Sequence, residues 1–394
     1  MRQMEQIQEN CKAGGKTKRL ANFELLRCIA MMMVVVLHFL GKSGILAPLS
    51  QATLAGYEYL AWGVESLCIV AVNVYMLISG YFLTESHFSF KKVLRLWLQV
   101  WFYSVGIGVV TYLCGYRPEG GFNLYYLARL LFPISKNHYW FMTAYLYMIL
   151  FAPILAAGVK KLSKEQLQGI IIALLTAFSL IKSVLPMKLE TDNRGYDVIW
   201  YLCVFLVAAY IRLYGIPFLQ NKKRGFAVYF LSAAVIFAAS MGLRMIYLKT
   251  GKLSDMLSVC YNYNHIFVLI ASVGLFLAFS HITMKEGAFS RFVCRIAPYT
   301  LGVYLLHCHT ALDERWQQWI FAITGRPDSA GSLLLGILLP FSLSMGLLNT
   351  AFCSPAFSIS FIKSKNSFMD VSSQNNSHSV PSSPLAEVPT MTIF

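Results

Sequence analysis

Ten apolar stretches divide this chain, and the charges between them alternate. That pattern constrains the fold more than any single motif. A window of about 19 residues marks the stretches at 22–41, 62–83, 94–114, 139–158, 167–185, 197–214, 226–247, 265–283, 294–311 and 332–353. Each has a length suited to an α-helix that crosses a bilayer. Before the first lie Lys12, Lys16, Lys18 and Arg19. The second connection carries Lys91, Lys92 and Arg95, and the fourth Lys160, Lys161 and Lys164. The sixth carries Lys222, Lys223 and Arg224, and the eighth Lys285, Arg291 and Arg295. The other connections mix signs: Lys42 with Glu58, Arg117 with Glu119, Arg194 with Glu190 and Asp192, Arg315 with Asp313 and Glu314. Cationic clusters on every second loop follow the positive-inside rule. The expectation is an all-α, polytopic integral membrane protein with about ten transmembrane helices and both termini cytoplasmic.

Composition agrees. The chain is 57% hydrophobic and only 13% charged, where a soluble domain carries about 25%. Its net charge of +15 reads as a topology signal rather than a nucleic-acid surface, because no basic stripe or RNA-binding motif accompanies it. The basic residues 1–19 and the apolar run after them look like a signal peptide. No small-x-small cleavage site follows Leu40, so an uncleaved first helix is expected. Three parts result: a basic cytoplasmic segment 1–19, a transmembrane domain 20–353, and a Ser/Asn/Pro-rich tail 354–394 that lacks hydrophobic periodicity and is expected to be disordered.

The cysteines are scattered singly, with no CxxC pair. Cys308 sits between His307 and His309, a spacing that invites a metal. No second group of ligands is evident in the sequence, so no metal is expected and most of the cysteines read as small apolar fillers.

The first stretch holds the clearest chemistry. Asn22 to Leu40 is NFELLRCIAMMMVVVLHFL and contains Glu24, Arg27 and His38. Ionisable groups within a span are costly and mark function. Arg27 and His38 are eleven residues apart, which is three helical turns plus about 20°, so both project from one face about 16 Å apart along the axis. Glu24 lies within i,i+3 reach of Arg27 and is its expected partner. An imidazole suits general-base work, although a histidine in a span also serves as a helix-interface hydrogen bonder. An arginine suits a phosphate, to whose oxygens its planar fork donates two parallel hydrogen bonds.

Other candidates are individually weaker. Ala71 to Leu83, AVNVYMLISGYFL, places Asn73, Tyr75 and Ser79 in a span, where Ser79 and Gly80 also suit close helix packing. Lys91, Lys92 and Arg95 anchor the third span. They could also receive an anionic cofactor from the cytoplasm. His138 and Trp140 stand at the outer start of the fourth span, where aromatic anchors are ordinary. Tyr304 and His307 lie in Leu301 to His309, LGVYLLHCH, near the outer end of the ninth.

Taken together, these pieces resemble the membrane-bound acyltransferase 3 family of bacterial surface-glycan acyltransferases. Four segments carry the resemblance in the family's order: Arg27, ten residues, His38; VYMLISGYFL at 74–83; KKVLRL at 91–96; and Gly302 to His307, GVYLLH. Trp140-Phe141 and Pro153 add to it, over about residues 20–310. The family's Phe-Phe before Ser-Gly is not kept, and the tail after about Asn349 lacks the usual basic end. The resemblance implies transfer of an acyl group, acetyl or succinyl, from cytoplasmic acyl-CoA (acetyl-CoA in the first instance) to a hydroxyl of a surface or lipid-linked glycan at the bacterial plasma membrane. It makes His38 the base and Arg27 essential nearby, for the CoA phosphates or the thioester carbonyl. Lys92 and Arg95 would help hold CoA. A transporter or flippase of a glycan precursor would use the same buried polar groups. An N-acyltransferase would differ only in the acceptor atom.

Overall fold

A computed structural model of the chain describes residues 20–118, 121–136, 138–185, 193–313 and 315–339. They belong to one unit, Met1–Met345. The basic segment 1–19 and the tail 354–394 lie outside the described residues, as do residues 340–353 of the stretch at 332–353.

The described residues are helical, with no strand among them. In chain order the helices are α1 Ala21–Lys42, α2 Gly56–Cys68, α3 Ala71–Leu83, α4 Phe90–Leu113, α5 Leu124–Leu131, α6 Trp140–Lys161, α7 Lys164–Leu175, α8 Ile181–Val184, α9 Val198–Tyr214, α10 Lys222–Thr250, α11 Ile266–Ser280, α12 Ala288–Ile296, α13 Thr300–His307 and α14 Trp316–Thr324. A further apolar helix, α15, runs over Ala330–Leu339.

Seven of these segments are long and apolar enough to cross a membrane: α1, α2 with α3 (Gly56–Leu83), α4, α6, Lys164–Val184, α10, and Ser254–Ser280. The other three of the ten expected spans are not among these seven. The stretch at 197–214 is helical, but α9 has only 17 residues. The stretch at 294–311 is not one helix. Pro298, which lacks a backbone N–H, sits in a 3₁₀ turn Ala297–Tyr299 between α12 and α13. Of 332–353, only the part in α15 is described.

Local chemistry sets the helix ends. Glu24 lies in the first turn of α1 and Lys42 in the last, each matching the helix dipole. The Asp197 side chain caps α9 by accepting from the Trp200 N–H at 2.9 Å, and Gly215 ends it at φ 67°. Between α7 and α8 a π-turn spans Thr176–Leu180, and its Phe178 carbonyl accepts from Asn264 Nδ2 at 3.0 Å.

The helix that carries Arg27 and His38 is central: α1 packs against α2, α3, α11, α12 and α13. Elsewhere small residues set the spacing, as expected where lipid gives no hydrophobic drive between helices. On α3, a Cβ at Gly80 would lie 2.8 Å from Ala208 Cβ and 3.2 Å from Phe205 Cα. Both neighbours are on α9, and one is backbone, so the helices would have to separate. Gly80→Ala is expected to destabilise the protein by about 1–3 kcal/mol, read as a lower thermal transition of the detergent-solubilised chain. An unchanged transition would mean that this contact yields without cost.

Candidate active site

Helix α1 presents His38 one turn before its C-terminal end, where it meets the end of α13. There His38 Nδ1 lies 2.8 Å from His307 Nε2, across 269 residues of sequence. Cys308 Sγ lies 3.4 Å from the same His38 nitrogen. His307 is buried, while His38 and Cys308 are half-buried. Beside them Lys42 and Asp313 form an ion pair. Phe39, Leu40, Ile45, Ala61, Ile320 and Leu333 form an apolar cluster behind this end of α1.

The hydrogen bonds assign the protons. His307 Nδ1 lies 2.6 Å from the Val303 carbonyl, one turn back on α13. A carbonyl only accepts, so Nδ1 carries a proton. In a neutral imidazole the other nitrogen is then an acceptor. His307 Nε2 therefore accepts from His38 Nδ1–H, which leaves the lone pair of His38 on Nε2. The two imidazoles form a relay that holds His38 in one tautomer, with its basic nitrogen turned away from His307.

Arg27 lies on the same helix but not in this cluster. It donates to Glu24 Oε1 at 2.8 Å, and its side chain is 33% exposed. Since α1 is continuous, the two residues remain about 16 Å apart along the axis. Tyr75 O–H donates to the Arg27 carbonyl at 2.7 Å, which fixes this turn of α1 against α3. Ser79 Oγ lies 3.2 Å from Tyr145 O–H, joining α3 to α6.

Two expected site residues instead bind other parts of the protein. Asn73 is fully buried. Its Nδ2 donates to the Tyr263 carbonyl at 2.8 Å, and its Oδ1 accepts from Trp200 Nε1 at 3.0 Å. Both ends of the amide are used by the fold. His138 Nε2 accepts from the Thr310 N–H at 3.2 Å, so Nδ1 bears the proton, 3.3 Å from Ser104 Oγ. Burial, with His309 and Arg129 alongside, holds this imidazole down to about 3. It is neutral at ordinary pH, as its accepting nitrogen requires. His309 is likewise spent: Nε2 donates to the Ser104 carbonyl at 3.0 Å, and Nδ1 accepts from Ala311 N–H at 3.1 Å.

The remaining candidates flank the pair. The Tyr304 ring stands 6.0 Å from His307 and 5.4 Å from Phe141. Trp140 packs on Tyr196 at 4.5 Å. Lys91, Lys92 and Arg95 are exposed at the start of α4. Among the described residues no carboxylate pairs with them and no hydrogen bond ties them to Arg27.

Three groups outside the sequence-derived set belong near these elements. Cys308, notable in the sequence only for its place between two histidines, lies 3.4 Å from His38 Nδ1. Arg212, buried in the last turn of α9, lies over the Tyr81 ring at 4.9 Å. Glu65 is buried on α2, with Oε2 lacking a hydrogen-bond partner among the described residues. Arg212 and Glu65 are ionisable groups within apolar stretches. That is the same sequence signal that marks Arg27 and His38.

These observations define a multi-pass helical membrane protein with a paired-histidine site where two helices meet. A family model described as an acyltransferase domain matches residues 20–355, and the chain belongs to the acyltransferase 3 family. No curated protein and no solved structure matches it.

Proposed function

We propose that this protein is an O-acyltransferase that moves an acyl group, acetyl or succinyl, from cytoplasmic acyl-CoA to a hydroxyl of a surface or lipid-linked glycan at the bacterial plasma membrane. The observation that carries the reading is the His307–His38 relay, which leaves a lone pair on His38 Nε2. In the reaction His38 Nε2 takes the proton of the acceptor hydroxyl. The oxygen attacks the thioester carbonyl, the C–S bond breaks, and the CoA sulfur leaves with the proton returned from His38. Transfer thus conserves one proton and needs no redox partner.

Separation along α1 divides the labour. Arg27, about 16 Å from His38, is too far to polarise a carbonyl that His38 serves. It suits the phosphates, with the pantetheine arm covering the gap. The cationic loop clusters orient this end toward the cytoplasm, with Lys91, Lys92 and Arg95 drawing in the anionic donor. The His38 end then faces the acceptor.

The test is release of free CoA from acetyl- or succinyl-CoA by membranes bearing the protein, with and without crude surface glycan. Acceptor-dependent release supports the reading. Absence of release with either donor, together with CoA-independent uptake of labelled glycan into vesicles, would favour transport. Within the reading, Arg27→Ala is expected to raise KM for acyl-CoA about 10–100-fold, the loss of a charge-assisted contact worth about 1.5–3 kcal/mol. Arg27→Lys should recover only part. An unchanged KM would remove Arg27 from donor binding.

A further inference from the structure

The His-Cys-His run at 307–309 has a spacing that suits a metal, with no second group of ligands near it in sequence. The missing ligand is His38, brought in from the other end of the chain. His38 Nδ1, His307 Nε2 and Cys308 Sγ all lie within 4.8 Å of one another. The third member of the run does not take part, because both nitrogens of His309 are engaged by backbone. Cys308 is a free thiol.

We propose that His38, His307 and Cys308 bind Zn²⁺ in place of the protons they share, and that the ion arrests acyl transfer by taking His38 from its role as base. Two imidazole nitrogens and one thiolate form a borderline-soft donor set that suits zinc and leaves a fourth tetrahedral position for water. Zn–N bonds of about 2.0–2.1 Å and a Zn–S bond of about 2.3 Å put tetrahedral donors about 3.3–3.6 Å apart. The N···N separation of 2.8 Å must therefore open by about half an ångström, whereas the N···S separation of 3.4 Å is already close. The outer support is in place: His307 holds its second nitrogen on the Val303 carbonyl, the arrangement that orients ligating histidines in metal sites. His38 and Cys308 each keep some exposed surface, the opening an entering ion would use.

The proton balance follows from the relay. His307 Nε2 is already a lone pair. The Cys308 thiol must lose its proton to solvent. The His38 proton passes from Nδ1 to Nε2, since Nδ1 becomes the ligand. Binding one ion therefore releases one proton and places a hydrogen on the nitrogen that the reaction needs bare. The binding claim rests on geometry alone, while the inhibition claim rests also on the acyltransferase reading.

The test uses the purified full-length chain in detergent with Co²⁺ as a spectroscopic stand-in for zinc. Expected are one Co²⁺ per chain, a thiolate-to-cobalt charge-transfer band in the near-ultraviolet, one proton released per ion, and displacement by Zn²⁺. Cys308→Ser should abolish the band, and His307→Ala should weaken binding about 100-fold, at least as much as loss of a supporting contact costs. Cys294→Ser should leave the band unchanged. If either ligand variant fails to fold, the wild type carries the test: Zn²⁺ should protect Cys308 from alkylation, read by peptide mass spectrometry. Absence of the band, its survival in Cys308→Ser, or unprotected Cys308 would overturn the site. In the CoA-release assay Zn²⁺ should inhibit and a chelator restore activity. A cobalt signature without Zn²⁺ inhibition would keep the site and overturn the role of His38 as base.

Discussion

His38→Ala is expected to lower acceptor-dependent CoA release about 10²–10⁴-fold, the usual contribution of a general base, while the protein remains in the membrane at wild-type level. The loss should fall on kcat, because in the proposed reaction the imidazole takes a proton only as the acceptor attacks. Donor binding, assigned to Arg27 about 16 Å away along the helix, should be nearly unaffected. KM for acyl-CoA thus separates the two ends of α1. His38→Ala should leave it in place, and Arg27→Ala should move it. The control for folding is internal to the site. His38 Nδ1 has polar contacts only with His307 and Cys308 among the described residues, so its removal breaks no other side-chain hydrogen bond of that nitrogen. Retained glycan acylation in His38→Ala would discard the base assignment. Equal loss of total CoA release and of membrane-embedded protein, with kcat unchanged, would reassign His38 to the fold.

Much of the architecture was legible in the sequence because lipid imposes a simple rule: the backbone must satisfy itself, and helices do so over a predictable length. Hydropathy therefore marked α1, α4, α6 and α10 closely. It does not register the 3₁₀ turn between α12 and α13, because a window averages over Pro298, whose effect is local. It missed the turn between Cys68 and Ala71 for the same reason: Ile69 and Val70 are as apolar as the helices they separate. The site was half legible. Arg27 and His38 could be paired because both lie on one helix, where spacing alone determines a shared face. The junction of His38 with His307 and Cys308 depends on how α1 meets α13, and no local pattern records that. The same limit explains Asn73 and His138. Both are polar groups in apolar surroundings, as a site residue would be, but their partners Trp200, Tyr263, Ser104 and Thr310 are distant in sequence. A buried polar group satisfied on every side by the fold looks, in sequence, like one awaiting a ligand.

His307 is expected to matter almost as much as His38 without touching substrate. Its Nδ1 is committed to Val303 and its Nε2 to His38, so its effect on transfer passes through the tautomer and orientation of the His38 ring. His307→Ala removes the acceptor for His38 Nδ1–H. The imidazole then loses its fixed ring plane, and it can place the proton on Nε2, where it can no longer act as base. Loss of the group that holds a catalytic histidine in its tautomer costs about 10⁴-fold in kcat in the serine-protease precedent. Here the expected loss is about 10²–10³-fold, since a neutral histidine lacks the charge that an aspartate supplies there. His307→Gln separates positioning from packing. Its side-chain carbonyl can accept from His38 Nδ1–H, so it should recover part of kcat, whereas His307→Leu, similar in bulk but without an acceptor, should not. A plain structural role would make Gln and Leu equivalent and would show as lost protein rather than lost turnover. Measured kcat for the Ala, Gln and Leu variants at matched protein level, with KM for acyl-CoA alongside, decides between the two. If Gln and Leu fall together with KM rising, His307 supports the fold at the end of α13, and the lone pair on His38 Nε2 has another origin.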